Sequence, residues 1–226
     1  MLIDVVTLTI CLRVCQDCGV GGARRYGGVS SEERIAERRN RFLDAGLQLM
    51  GTGGVAATTV RGVSEVAGLA PRYLAESFPT IDDLHVAVFE RINDEIEDGC
   101  LAAIARASDA RAAQARAALA ALTDLLLGDP RKGRVMLIES ASSPALGPRR
   151  RAGAQRFAAI LAGLVHSPDR GDDLLEDRLT AHFVLGGVSE TLAAALAGDI
   201  EVDRNHLVER LTALLFGATV GSVSLR

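Results

Sequence analysis

The chain has 226 residues, 48% apolar and 24% charged, which is ordinary globular composition and enough length for a sizeable core. Its net charge of −4 excludes a chain that is basic throughout, and the charge is uneven: +1 over residues 1–30, 0 over 31–79 and −5 over 80–226. Alanine is abundant and β-branched runs are few, so helix is expected to dominate.

Residues 1–30 read as an extension, disordered or translated from a start placed too far upstream. The apolar run Val5 to Leu12 is too short to cross a membrane. It carries Asp4 where a signal peptide has a basic region, and no small-residue cleavage site follows. Gly19 to Gly28 is glycine-rich. The competing reading is Cys11-x3-Cys15-x2-Cys18, a spacing that can ligate zinc or an iron–sulfur cluster and would make the arm a metal or redox sensor. The same spacing occurs in radical S-adenosylmethionine enzymes, but those need an α/β barrel, and no strand pattern follows here. No cofactor is expected. Nothing in the cysteine usage points to disulfides or secretion, so the expected compartment is cytoplasmic, without membrane association.

From Ser31 onward helical spacing begins. Arg34, Arg38, Arg39 and Arg41 open the segment, either paired with Glu32, Glu33 and Glu37 on a solvated face or reaching a phosphate backbone. Phe42, Ala45, Leu49 and Met50 form one apolar stripe, stopped by Gly51, Gly53 and Gly54. Thr59 is a good N-cap for a second helix with Val60, Val63 and Ala67 inward. Gly68 follows where a tight turn needs positive φ, and Leu69 is expected to be buried there. Pro71 suits the first position of a third helix. Leu74 and Phe78 point inward, leaving Arg72, Tyr73, Ala75, Glu76 and Ser77 outward, and Pro79 ends it. Thr80 to Asp83 has the form of a capping box for a fourth helix.

Two short helices joined at a glycine turn are the layout of a helix-turn-helix. Ala45, Gly54, Thr58-Thr59, Ala67-Gly68-Leu69 and Arg72-Tyr73 through Phe78 resemble the DNA-binding domain of the TetR family of bacterial transcriptional regulators. The stretch PRYLAESFPTIDDL carries the closest likeness, and the match extends over about 50 residues. The resemblance implies a DNA contact set of Arg38, Arg41, Thr58, Thr59, Arg61, Pro71, Arg72, Tyr73, Glu76 and Ser77. The family has a tyrosine where Ala75 stands and a lysine where Ile81 stands, so its phosphate contacts are thinned here.

Residues 85–226 read as further helices, over about 84–108, 109–127, 131–141, 148–165, 172–196 and 203–216, with breaks at Gly128-Asp129-Pro130, Ser142-Ser143-Pro144, Ser167-Pro168 and Gly198. The expected architecture is all-α: an N-terminal three-helix DNA-binding domain with a helix-turn-helix (31–84), followed by a helical ligand-binding and dimerisation bundle (85–226). No catalytic constellation stands out; His85, His166, His182 and His206 lack metal-ligand spacing, and the chain is not expected to be an enzyme. Glu139, in the apolar context VMLIES, together with Arg134 and His182, is the candidate set for a small-molecule effector, with a plain ion pair from Glu139 to Arg134 or to Arg149–Arg151 as the other reading.

The last two helices carry apolar stripes at Phe183, Val184, Gly187, Val188, Thr191, Leu192 and Ala195, and at Leu207, Leu211, Leu214 and Leu215. The family resemblance implies that these pair with their copies in a homodimer. Two recognition helices would then reach half-sites about 34 Å apart in a near-palindromic operator. The reading is a ligand-responsive transcriptional regulator, a repressor by resemblance, released from double-stranded DNA by a small molecule. The alternative is an all-α interaction protein with a degenerate helix-turn-helix.

Overall fold

The computed structural model describes residues 30–165 and 174–220; Cys11, Cys15 and Cys18, the rest of the N-terminal extension and His166 lie outside the described residues. The chain divides into two compact units, residues 1–37 and 38–226. In the first, Ser30 and Glu33 close a reciprocal cap: the Glu33 N–H donates to Ser30 Oγ at 3.0 Å, and the Ser30 N–H donates to Glu33 Oε2 at 2.6 Å. This cap opens α1 (Ser31–Gly53).

The second unit begins within α1. Phe42, Leu43, Ala45, Leu47 and Met50 are its buried side. The helix does not stop at Gly51, which lies inside it. A Cβ there would stand 2.3 Å from Arg131 Cβ and 2.6 Å from Arg131 Cα, so this glycine permits a close helix crossing. The stop falls at Gly54, with φ 85°. A short 3₁₀ turn (Val55–Ala57) leads to α2 (Val60–Ala67), capped as expected by Thr59, whose Oγ1 accepts the Gly62 N–H at 3.1 Å. Gly68 takes φ 62° and turns the chain into α3 (Pro71–Ser77). Val63, Ala67, Leu74 and Phe78 are buried as the spacing requires. Val60 is not: it is 46% exposed, because it lies on the first turn, and the eight-residue helix buries Val63, Ser64 and Ala67. Leu69 is only half-buried.

Thr80 and Asp83 form the anticipated capping box and start α4 (Ile81–Arg106). Then come α5 (Arg111–Gly128), α6 (Pro130–Gly133), a π-helical turn (Arg134–Glu139), α7 (Ser140–Ser142), α8 (Gly147–Val165), α9 (Leu174–Ala197) and α10 (Arg204–Val220). The described residues contain helices and turns and no strand. The segment expected as one ordinary helix over 131–141 instead widens into the π turn, a feature that recurs at functional sites. The core is built by α4 along α5, α8 against α9, and α10 against α5, with Phe89, Ile92, Val135, Leu146, Leu192 and Leu215 fully enclosed.

Candidate nucleic-acid interface and internal cavity

Helix α3, the second helix of the helix-turn-helix, has only seven residues, too few to hold itself together. Arginines of α1 grip it. The Arg38 guanidinium stacks on the Tyr73 ring at 4.8 Å. Arg39 Nη1 donates to the Ser77 carbonyl at 2.9 Å and stacks over Phe78 at 4.2 Å, which places a cation at the negative end of α3. Arg41 Nη2 donates to the Ala67 carbonyl, bracing the glycine turn from the other side. Arg39, read from the sequence only as a member of the arginine cluster, takes α3 as its partner, a contact that lies 38 positions away and leaves no local signal.

Of the expected DNA contact set, Pro71, Arg72 and Glu76 are exposed, and Tyr73 and Ser77 are half-buried. Arg72 Nη2 donates to Tyr73 Oη at 2.9 Å, so the two form one outward polar group. Arg61 is exposed and holds Glu65 one turn on, at 2.8 Å. Thr59 is exposed; its oxygen serves the cap and its hydroxyl proton remains available as a donor. Thr58 must be corrected. It is buried, and its hydroxyl donates to the Gly54 carbonyl at 2.9 Å, so it braces the loop before α2 and does not face outward.

Glu139 and Arg134 sit in the π turn, not at the cavity described below. Glu139 Oε2 accepts the backbone N–H of Val55 at 2.9 Å, and Oε1 accepts from Arg134 Nε at 3.0 Å. Arg134 Nη1 also reaches the Thr52 carbonyl at 3.3 Å. The ion-pair reading of Glu139 is therefore observed, with a backbone partner that sequence reasoning missed because it lies 84 positions away. Arg131 adds a second tie, donating to Gln48 Oε1 at 2.7 Å while holding Asp129 through two hydrogen bonds. Those bonds pull the Asp129 carboxyl below its ordinary range. Arg91 pairs with Asp44 at 2.8 Å. His85 is buried on α4. Burial pushes its pKa down, outweighing the Asp82 carboxylate and the Thr58 backbone, which push it up.

The bundle holds a partly open cavity of about 480 Å³ lined mostly by apolar groups, among them Phe89, Ile96, Leu119, Met136 and Leu137. Its size and lining suit a small organic molecule. Of the three residues expected at an effector site, His182 lines it; Arg134 and Glu139 do not. The buried Cys100 thiol also lines it and is pushed up to about 11 by burial, so it stays protonated and acts as an apolar group. Among the described residues no three His, Cys, Asp or Glu side chains come together as a metal site.

The C-terminal stripes divide in two. Leu192, Leu207 and Leu211, expected at a subunit interface, are buried within the chain itself, as are Val184, Val188 and Leu215. The stripe is wider than one contact face, and its inner rows complete this chain's own core. Thr191 is half-buried and bonds back to the Gly187 carbonyl at 2.7 Å. What remains outside is Phe183 (76% exposed), Leu175, Leu179, Gly187 and, on α10, Leu214. The Arg178–Ala197 stretch of α9 is by length and composition apolar enough to cross a membrane, but Arg178, His182 and Glu190 are exposed on it.

No family model matches the chain, and no curated protein does. Among solved structures it is similar to a TetR-like transcriptional regulator from Rhodococcus sp. RHA1, with 17% identity over 83% of this chain and 98% of that one and a TM-score of 0.66. It is similar to the transcriptional regulator FadR from Bacillus subtilis in complex with stearoyl-CoA, at 20% identity, 79% and 98% coverage and a TM-score of 0.69. It is also similar to the multidrug binding protein EbrR complexed with imidazole, at 26% identity, 78% and 94% coverage and a TM-score of 0.59.

Proposed function

We propose that this chain, whose fold is that of the TetR-like transcriptional regulators, is a ligand-responsive DNA-binding regulator that acts as a homodimer. Residues 31–84 are the DNA-binding domain and 85–226 the regulatory domain in this reading. The carrying observation is that one bundle holds both an outward Arg72–Tyr73 pair on a gripped recognition helix and an apolar cavity of about 480 Å³, with the π turn bridging them.

The mechanism follows from that bridge. Met136 and Leu137 line the cavity, while Arg134 and Glu139 of the same turn hold Thr52 and Val55 ahead of α2. A molecule that fills the cavity better in one position of this turn shifts the orientation of α2 and α3. By linkage it changes DNA affinity by the ratio of its affinities for the two states. The exposed Leu175, Leu179, Phe183, Gly187 and Leu214 supply the face for a second copy, which sets two recognition helices for a near-palindromic operator. Repression, relieved by the ligand, is the sign that the family resemblance favours. The neighbours' ligands, stearoyl-CoA and imidazole, differ so widely that they do not single out an effector.

Sequencing genomic fragments retained by the purified protein tests the reading. Enrichment of a two-fold symmetric motif supports it. Retention without sequence preference, independent of Arg72, would favour an interaction protein with a degenerate helix-turn-helix, the reading that the exposed Ala75 motivates.

A further inference from the structure

We propose that the cavity selects a neutral, largely apolar molecule carrying one hydrogen-bond acceptor, a ketone, ester or amide carbonyl, which receives the side-chain N–H of Asn93. The inference rests on the regulator reading of the cavity and specifies its ligand class.

Asn93 lies on α4, is 2% exposed and lines the cavity. Its Nδ2 makes no hydrogen bond within the protein. A buried amide donor without a partner is costly, so its retention in an otherwise apolar wall marks a place where something else is received. On its own helix the donor is flanked by apolar groups, since Phe89 and Ile96 line the cavity on either side of it. The amide is also held in place. α8 crosses it at Gly153, where an added Cβ would stand 2.7 Å from Asn93 Oδ1 and 3.8 Å from Nδ2. The glycine therefore lets the α8 backbone press on the oxygen end.

Charge decides between a neutral acceptor and an anion. The charged residues on the lining, Arg150 and Glu190, are exposed and belong to the rim. One helical turn from Asn93, on the same face, stands the buried Glu97 carboxylate, already held by Arg156 at 3.3 Å. With Arg156 engaged by Glu97, that pair offers an anionic head at Asn93 no counter-cation, whereas a carbonyl oxygen accepts the amide proton without burying a charge.

The test uses the full chain and three probes of one carbon skeleton: butylbenzene, 1-phenyl-1-butanone and 4-phenylbutanoate. Calorimetry is expected to give the ketone at least tenfold tighter binding than butylbenzene, with the carboxylate weaker than the ketone. In Asn93→Leu the ketone should fall to the affinity of butylbenzene while butylbenzene is unaffected. Infrared spectroscopy of the ketone bound to the unaltered protein supplies an independent reading, since a received hydrogen bond lowers its carbonyl stretch. Equal affinities for ketone and butylbenzene with an unshifted stretch overturn the inference and leave an apolar-ligand cavity standing. Tighter binding of 4-phenylbutanoate than of the ketone would transfer recognition to Arg150 and overturn it also. Failure of all three probes to bind at their solubility limits removes the cavity from the regulator reading, and the inference with it.

Discussion

Glu139 carries the backbone N–H of Val55 on one carboxylate oxygen at 2.9 Å and Arg134 on the other at 3.0 Å. The carboxylate is largely buried, so the cost of breaking the pair is not set by solvent screening alone. Glu139→Ala leaves the Val55 N–H without its partner and frees Arg134, which should destabilise the fold by about 1–3 kcal/mol. Urea denaturation measures this. The same variant should bind operator with a smaller response to ligand, because the link between cavity and α2 is cut. An unchanged midpoint together with an unchanged ligand response would show that Glu139 is no part of the coupling.

Two glycines at the same junction have no tolerance for a side chain. Gly54 has φ 85°, and a Cβ there would meet Glu139 Oε2 at 2.9 Å. Gly51 faces the Arg131 backbone at 2.6 Å from where its Cβ would stand. Gly51→Ala must push α1 off α6, an overpacking that costs roughly 1–3 kcal/mol. Gly54→Ala adds backbone strain of about 1 kcal/mol or more. Both positions are buried, and both variants should lower operator affinity along with the melting temperature. Full stability in Gly51→Ala would contradict the close crossing.

Arg72 and Arg39 should behave differently, since Arg72 stands on α3 and Arg39 grips α3 from α1. Arg72→Ala removes an exposed group and should cost about 1–3 kcal/mol of specific operator binding if it pairs with a guanine edge, at unchanged stability. Arg39→Ala removes the hydrogen bond to the Ser77 carbonyl and the stack on Phe78, so α3 should fray. Its signature is faster amide exchange at the end of α3 with a lower affinity for every DNA sequence. Equal loss of specificity in both variants would put Arg39 on the DNA and not on the helix.

His85 gives the fold an acid-side weakness. Its folded pKa lies below the ordinary 6.5, chiefly through burial, so the unfolded chain takes up a proton that the folded chain refuses. The contribution of neutral His85 to stability is complete above pH 6.5 and is lost progressively as the pH falls below it toward the depressed folded value. Its Nδ1 stands 3.4 Å from the Asp82 carboxylate, which is exposed and stays solvated in His85→Leu. The melting temperature of the unaltered protein should drop between pH 7.5 and 5.5 by more than that of His85→Leu. Parallel drops would mean that carboxylates alone account for the acid sensitivity.

Helix positions were legible because their ends are written in local chemistry. Thr59, Gly68, Pro71, Thr80 and Asp83 act within a few residues of themselves, and each does what its type dictates. The outward face of α3 was legible for the same reason, since Leu74 and Phe78 fix which side of it faces in. Non-local partners were not. Thr58 was expected in the DNA contact set, but the Gly54 carbonyl claims its hydroxyl. Glu139 looked like a ligand group because its apolar neighbours signal burial, while nothing near it in sequence names Val55 as its partner. Gly51 looked like a stop because a close approach to Arg131 leaves no mark within α1. The cavity was invisible for a related reason: its walls come from α4, α5, the π turn, α8 and α9, and alanine or leucine spacing reads alike whether it meets a neighbour or a void.

The division of the C-terminal stripes changes where a dimer should be broken. Leu192 and Leu211 are enclosed by their own chain, so a glutamate at either buries a charge and should unfold the protein before it separates subunits. Phe183 is 76% exposed and Leu179 62% exposed, on neighbouring turns of α9, and Leu214 on α10 is 62% exposed. A single chain gains little by presenting three such side chains to water, and a second copy gains by covering them. Phe183→Glu should therefore keep the helical content and melting cooperativity of the unaltered chain while sedimenting as a monomer. Operator affinity should fall steeply, because one half-site offers only part of the contacts. Arg178, His182 and Glu190 lie on the same helix, so the alternative occupant, a lipid surface, would have to accept exposed charge. Sedimentation of the unaltered protein at micromolar concentration decides the matter: a monomer there, or flotation with neutral lipid vesicles that Phe183→Glu abolishes, would end the dimer assignment for this face.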